Sequence, residues 1–505
     1  MGTKLRTSLS KLFGKSDEEH YRLALDLVEA GTDEDLKESI GKKLSKALPQ
    51  GITSGMLYRD IVKIAWPAFV ELTLTQLTSM ADMMMVGRLG AYAISGVGLT
   101  NQPKFLLMTM FIAMNVGATA LIARYKGAGE REKANKVLRQ ALLLTFVLSL
   151  TASIIGYVFA EPMVKFMGAA DGETMGGIDH ETLAAGTIYL KIQMVGFVFM
   201  ALTSTITAAL RGIGDSKTAM VYNMAANLVN VILNYVLIYG KFGLPRLEVA
   251  GASLATIIGQ FVAFVMAVRA ITRKGEYLEL DVRDGFMPDW NILKNIFNIG
   301  VPAMLEQLVM RIGVIIYVRT VTSLGTVAFA THQVCMNIQA MSFMNGQAFA
   351  ASATSLVGQS LGKKRSDMSN AYAQRTRRIG MTVSMILAVI FFFFGRYIVA
   401  LYTDDAQVIE KGAQILKLVA FIQPFQSSQF ILTGALRGAG DTRATAVIIF
   451  ITVLLVRPGL AKLTINHLGW GLIGAWIALV ADQMLRSLLV LIRYNSGKWK
   501  NVIVQ

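Results

Sequence analysis

Charge is what this 505-residue sequence is short of: Asp, Glu, Lys and Arg make up 16% of it, against about 25% in soluble domains. With 54% hydrophobic residues and a mean hydropathy of +0.50, that shortfall excludes a water-soluble domain and indicates a polytopic membrane protein. Cysteine is nearly absent, and the lone Cys335 lies in an apolar segment, which excludes an intrachain disulfide. The first fifty residues contain no continuous apolar core, so no cleavable signal peptide is expected. The glycines of the Leu-Arg-Gly-x-Gly-Asp segments are not followed by Lys-Ser/Thr, and no soluble nucleotide-binding domain is legible. ATP hydrolysis on this chain is thereby excluded as the energy source, and an ion gradient is expected instead. A net charge of +16 suggests nucleic acid, but the bases fall mostly between apolar spans, where membrane topology accounts for them.

What is present is a series of long apolar runs. They predict twelve helices near 60–86, 91–122, 133–158, 184–210, 218–240, 250–272, 293–320, 327–357, 374–401, 411–436, 444–466 and 471–493. Lys and Arg crowd the connection after the second span (Arg124, Lys126, Arg131) and after the eighth (Lys363, Lys364, Arg365). The connection after the third has Lys165 alone among acids. Even-numbered connections and both termini are therefore expected in the cytoplasm of a multi-pass cell-membrane protein. Residues 1–55 balance nine bases with nine acids. There Ser16 and Glu19 form a capping box for an amphipathic cytoplasmic helix.

An internal repeat organises the rest. Pro67-Ala-Phe-Val-Glu71 returns as Pro302-Ala-Met-Leu-Glu306, and at the same offset of 235 Leu89-Gly90 matches Leu324-Gly325 and Gly127 matches Gly362. Leu210-Arg-Gly-Ile-Gly-Asp215 returns as Leu436-Arg-Gly-Ala-Gly-Asp441 at offset 226. Each copy holds six spans, so both cross in one direction, related by a pseudo-two-fold axis along the membrane normal. The expected fold is an all-α membrane protein of two six-helix lobes, 56–275 and 276–505.

The candidate site residues are polar groups inside spans. The first span carries Glu71 and Asp82, 11 residues apart, hence on one helix face and roughly 16 Å apart. Charge at that depth costs at least ~2.5–3.5 kcal/mol, which makes it a functional candidate. Pro67 allows a bend at the entry of the same span and is the gating candidate. The fifth span has Asn223, Asn227, Asn230 and Asn234, spaced 4, 3 and 4, one continuous stripe. Interhelical hydrogen bonding accounts for such a stripe, as does an ion site shared with Asp82. The second copy has Ile449, Val453, Val456 and Leu460 there, so the polar site belongs to the first lobe. Glu306, His332, Gln333 and Asn337 in the seventh and eighth spans are candidates for the substrate cavity. Arg311 is a candidate partner of Glu306, and Asp215 and Asp441 are helix caps or gate residues, Asp441 being also a candidate cation ligand. Met83 to Met85 with Met108, Met110 and Met114 suit an adaptable cavity wall or ordinary packing.

In Pro67 with Asp82, Val86-Gly-Arg-Leu-Gly90, Gly127-Ala-Gly129, the two Leu-Arg-Gly-x-Gly-Asp segments, and Asn230-x-x-x-Asn234-Tyr with Ile238-Tyr-Gly240, the sequence resembles the multidrug and toxic compound extrusion family. The resemblance spans about residues 56–495. It implies a V-shaped, two-lobed secondary transporter that is not an enzyme and needs no cofactor. Such a protein exports small organic cations in exchange for H⁺ or Na⁺, with the acid at Asp82 central to coupling. Asn234 stands where one branch of the family has Asp, and the family's acid on the seventh span stands about a turn beyond Glu306. No metal is expected beyond Na⁺ at Asp82, and the partners are the substrate and membrane lipid of a monomer. The rival reading is a flippase for anionic or sugar-linked lipids, which requires a strongly cationic cavity.

Overall fold

A computed structural model describes residues 53–170, 180–281 and 285–502. The amphipathic helix expected near Ser16 lies outside them. The described residues form twelve long helical rods and one short helix. In the first half these are α1 (Ser54–Gly87), α2 (Ala91–Ala128), α3 (Arg131–Val158), short α4 (Ala160–Ala170), α5 (His180–Gly212), α6 (Ser216–Tyr239) and α7 (Glu248–Thr272). The second half has α8 (Trp290–Thr322), α9 (Thr326–Gly362), α10 (Ser366–Ala400), α11 (Ala406–Gly438), α12 (Thr442–His467) and α13 (Gly471–Asn495).

Ten rods are apolar and long enough to cross a membrane. The other two, α1 and α9, are 34 and 37 residues long, ample for a bilayer at 1.5 Å per residue. They are the rods that carry Glu71 with Asp82 and His332 with Gln333, so polarity rather than length separates them. Several rods outrun the apolar windows: α2 continues through Arg124 and Lys126 to Ala128, because a helix goes on past the point where its apolar stretch ends. The run 160–170, expected as connection, is α4, with Pro162 in its first turn, where a missing N–H costs nothing.

The repeat is visible in the turns and in the packing. Gly90 and Gly325 have φ of 129° and 97°, a conformation open to glycine, and each joins the first rod of its half to the second. The halves meet where α2 crosses α9. A Cβ on Gly127 would lie 1.8 Å from the Gln359 carbonyl oxygen, and one on Gly362 would lie 1.9 Å from that of Arg124. With 127 + 235 = 362 and 124 + 235 = 359, these are one contact and its pseudo-two-fold mate. Gly117 of α2 likewise meets the Ile296 carbonyl oxygen of α8, while its mate Ser352 of α9 donates to the Ile61 carbonyl of α1 at 3.3 Å.

The symmetry fails in α12. Where α6 is regular, α12 widens over Phe450–Val456, the Arg457 N–H reaching back to the Thr452 carbonyl. Pro458 follows, and a residue without N–H beside a widened turn is a recognised way of relieving a lost bond.

Candidate functional site

In the first half α1 and α6 face each other through a ladder of side chains. Asn223 Nδ2 donates to Glu71 Oε1 at 2.8 Å, Asn227 Nδ2 to Thr75 Oγ1 at 3.1 Å, and Asn234 Nδ2 to Asp82 Oδ1 at 2.5 Å. The numbers differ by 152 each time (223 − 71, 227 − 75, 234 − 82), so the two rods run parallel. Both acids thus lie on the face of α1 that meets α6. Tyr239 extends the contact by donating to the Met85 carbonyl at 3.0 Å.

The ladder separates the two acids into different sites. Asp82 borders a cavity of about 340 Å³ enclosed by α1, α2, α5, α6 and α7, whose polar lining includes Lys104, Tyr189, Asn230, Asn234 and Thr256. Asn230 satisfies both its ends when its nitrogen faces Asp82, 3.0 Å from Oδ1 and 3.1 Å from Oδ2, and its oxygen faces Thr256. Two amides then donate to one carboxylate, and charge-assisted bonds of this kind are about twice as strong as neutral ones. Asn230 and Asn234 are buried, so the donors face the acid away from solvent. Asn234 Oδ1 is buried with no hydrogen-bond partner among the described residues. It is therefore an acceptor in reserve, at the distance of one amide rotation from the acid.

Glu71 sits apart from that cavity. Its Oε1 accepts from Arg211 Nη2 at 2.8 Å as well as from Asn223. The second half repeats the pair: Glu306 is held by Arg437 and by Thr445 Oγ1 at 2.9 Å. Arg211 and Arg437 are the arginines of the two Leu-Arg-Gly-x-Gly-Asp segments. Each duplicated acid thus meets the duplicated arginine of its own half. The arrangement divides the stripe: Asn223 meets Glu71, Asn227 meets Thr75 and lines the cavity, and Asn230 and Asn234 meet Asp82. The signal for Arg211 was present in the sequence, as two repeated motifs at two offsets whose charges complement each other.

The second-half candidates do not converge. Glu306 is 2% exposed and takes Arg437 as partner, whereas the Arg311 guanidinium lies 3.5 Å from the Phe105 ring centroid. His332 is buried between the rings of Tyr317 and Trp476, with centroids at 5.6 and 5.5 Å. Gln333 and Asn337 lie on the exposed side of α9. Pro67 is buried within the unbroken α1. Asp215 caps α6 by accepting from the Thr218 N–H at 3.1 Å. Asp441 makes no such cap and instead accepts from Arg493 Nε at 2.8 Å. Met83 lines the cavity, while Met84 is exposed and Met114 is buried.

Comparison with known proteins gives one consistent answer. The MatE family matches residues 67–236 and 302–487, the two halves of the repeat. A probable multidrug resistance protein NorM from Thermotoga maritima is 29% identical over 443 residues, covering 88% of this chain and 93% of that protein. Multidrug resistance protein MdtK of Yersinia pestis is 26% identical, covering 86% and 94%. Among solved structures, a MATE transporter in complex with MaD3S superposes with a TM-score of 0.81 at 21% identity, covering 88% of this chain and 97% of that one. An outward-facing multidrug resistance MATE transporter of the MOP superfamily gives 0.80 at 22% identity, with the same coverage. A Pyrococcus furiosus MOP transporter described as having a binding pocket of reverse polarity gives 0.79 at 22%, again covering 88% and 97%.

Proposed function

Because this chain belongs to the multidrug and toxic compound extrusion (MatE) family of transporters, we propose that it exports organic cations across the cell membrane in exchange for an inward-moving cation bound at Asp82. The observation that carries the reading is the placement of that acid. Asp82 is the acid without a counterpart in the repeat, Tyr317 standing at 82 + 235, and it lies with two amides on a cavity inside one lobe. An ion that binds there removes the charge that orients Asn230 and Asn234. The Asp82 rungs of the α1–α6 ladder then lose their charge assistance, and α1, carrying Pro67, moves to a second packing. Differential affinity of the ion for the two packings is what such a switch requires. The relatives named as multidrug resistance proteins support a drug as cargo.

The distribution of Lys and Arg supports a cytoplasmic location for the termini and for the end of the rods where Gly127 and Gly362 meet. On that reading the glycine contacts close the lobes toward the cytoplasm. A flippase for anionic lipids requires an excess of positive charge in the site, whereas the cavity at Asp82 balances one acid against Lys104. The test is ethidium efflux from proteoliposomes under pH and Na⁺ gradients imposed separately. Efflux driven by one of them and lost in Asp82→Asn is the expected result. Efflux driven by neither, or by Asp82→Asn as well as by the native chain, overturns the proposal.

A further inference from the structure

We infer that Lys104 is the built-in counter-cation of Asp82 and makes the site one that takes up a proton rather than Na⁺. The inference rests on the reading of Asp82 as the coupling acid and adds the identity of the ion. Lys104 lies in α2, directly after Pro103, and its side chain lines the same cavity as Asp82. The two are opposite charges on the wall of one cavity, where they attract across low-dielectric surroundings. The cavity's other titratable group is Tyr189 of α5; α6 and α7 bring only amides, hydroxyls and apolar side chains to it.

Three observations point the same way. First, the repeat changes acid and base together. At offset 235 Asp82 meets Tyr317 and Lys104 meets Gln339, so the copy without the acid is also without the lysine. A base kept merely to anchor α2 would have no reason to vanish with Asp82. Second, the groups around the carboxylate are donors. Asn234 and Asn230 turn their nitrogens to it, and Lys104 supplies N–H groups only. Na⁺ is a hard cation that needs several oxygen ligands at once, and in this orientation of the amides the Asp82 carboxylate meets N–H groups from both asparagines. Third, a fixed ammonium repels a metal cation but does not prevent protonation. A proton arriving at Asp82 becomes a covalent O–H, and Asn234 Oδ1, buried and unbonded among the described residues, can accept from it after one amide rotation. Lys104 then loses the opposite charge that it faces in the cavity.

The test uses the full chain in proteoliposomes with Lys104→Gln, Lys104→Arg and Asp82→Asn. The native protein and Lys104→Arg are expected to export ethidium on a pH gradient and not on a Na⁺ gradient. Lys104→Gln is expected to gain Na⁺-driven efflux or Na⁺ affinity by about tenfold or more, the scale of removing a like charge from the wall of a partly buried site. Its pH profile for proton-driven efflux moves to the alkaline side, because the acid loses a favourable cation. Should Lys104→Gln transport nothing, calorimetric titration of the purified protein with NaCl reads the same change, and Lys104→Met replaces it if it fails to fold. Native efflux driven by Na⁺, or a Lys104→Gln protein with native Na⁺ response and pH profile, overturns the inference. If Asp82→Asn has meanwhile lost coupling, the role of Asp82 survives that failure; if Asp82→Asn transports normally, the underlying reading itself fails.

Discussion

Arg211 and Glu71 pair at 2.8 Å with the carboxylate 8% exposed, and the repeat sets Arg437 on Glu306 in the same way in the other half. A pair this buried is costly to break from one side only, about 3–5 kcal/mol, because the remaining charge has no solvent to return to. Arg211→Ala is therefore expected to lower the melting temperature of the purified protein more than Glu71→Gln does. The double variant should recover part of the loss, and a cycle of melting curves measures the coupling. If the three variants melt as an additive series, the pair contributes nothing beyond its separate residues.

The contact of Gly127 with the Gln359 carbonyl admits no side chain. Gly127→Val and Gly362→Val force α2 from α9 and are each expected to destabilise by about 1–3 kcal/mol, the range for overpacking. Gly98, on the same helix with open space around its Cβ position, is the control: Gly98→Ala should be neutral or gain up to ~1 kcal/mol from helix propensity. Thermal melts of the three proteins in one detergent decide it.

The helices and the two-fold repeat were legible because they follow from periodicity and from duplicated strings, and the cost of charge in lipid marks Asp82 as a candidate. Which partner each polar group takes was not, since a constant difference of 152 between α1 and α6 depends on how two separate rods are placed in register. Arg211 shows the limit from one side: its motif and Glu71 are both duplicated in the sequence, yet neither string says that the two meet. His332 shows it from the other: an imidazole in a polar run of α9 looks available, but the Tyr317 and Trp476 rings that enclose it come from α8 and α13.

Asn234 contacts Asp82 at the centre of the proposed ion site, so Asn234→Asp sets a second carboxylate against the first. Two acids at this distance share a proton, and one of them is pushed upward. The site then stays protonated to higher pH, and the profile of proton-driven efflux is expected to shift alkaline by about one pH unit or more. Efflux rates measured across a series of internal pH values test the sign. An acid shift, or no shift, would mean that Asn234 does not act on the coupling group.

Where the first half has a wall of its cavity, the second half places a buried ion cluster. Gly259 lines the cavity of the first half, and its mate at offset 223, the offset relating Gly251 to Gly474, is Asp482. Asp482 is fully buried and accepts from Arg457 Nε at 2.9 Å and from Arg486 Nη2 at 2.6 Å, while Arg486 Nε also donates to Thr452 in the widened part of α12 at 3.2 Å. Two guanidinium groups on Asp482 Oδ2 neutralise the acid, so the cluster holds α12 to α13 rather than moving charge. Asp482→Asn is expected to destabilise by about 3–5 kcal/mol by leaving both arginines buried without a counter-charge, yet the folded fraction should keep the native choice between H⁺ and Na⁺. Replacing Arg457, Asp482 and Arg486 together by apolar residues of similar volume should cost far less, as it does where buried ion clusters have been exchanged for packing. Melting curves and ion-gradient assays on the two proteins separate the roles: a changed ion preference in either one would move part of the coupling into the second lobe.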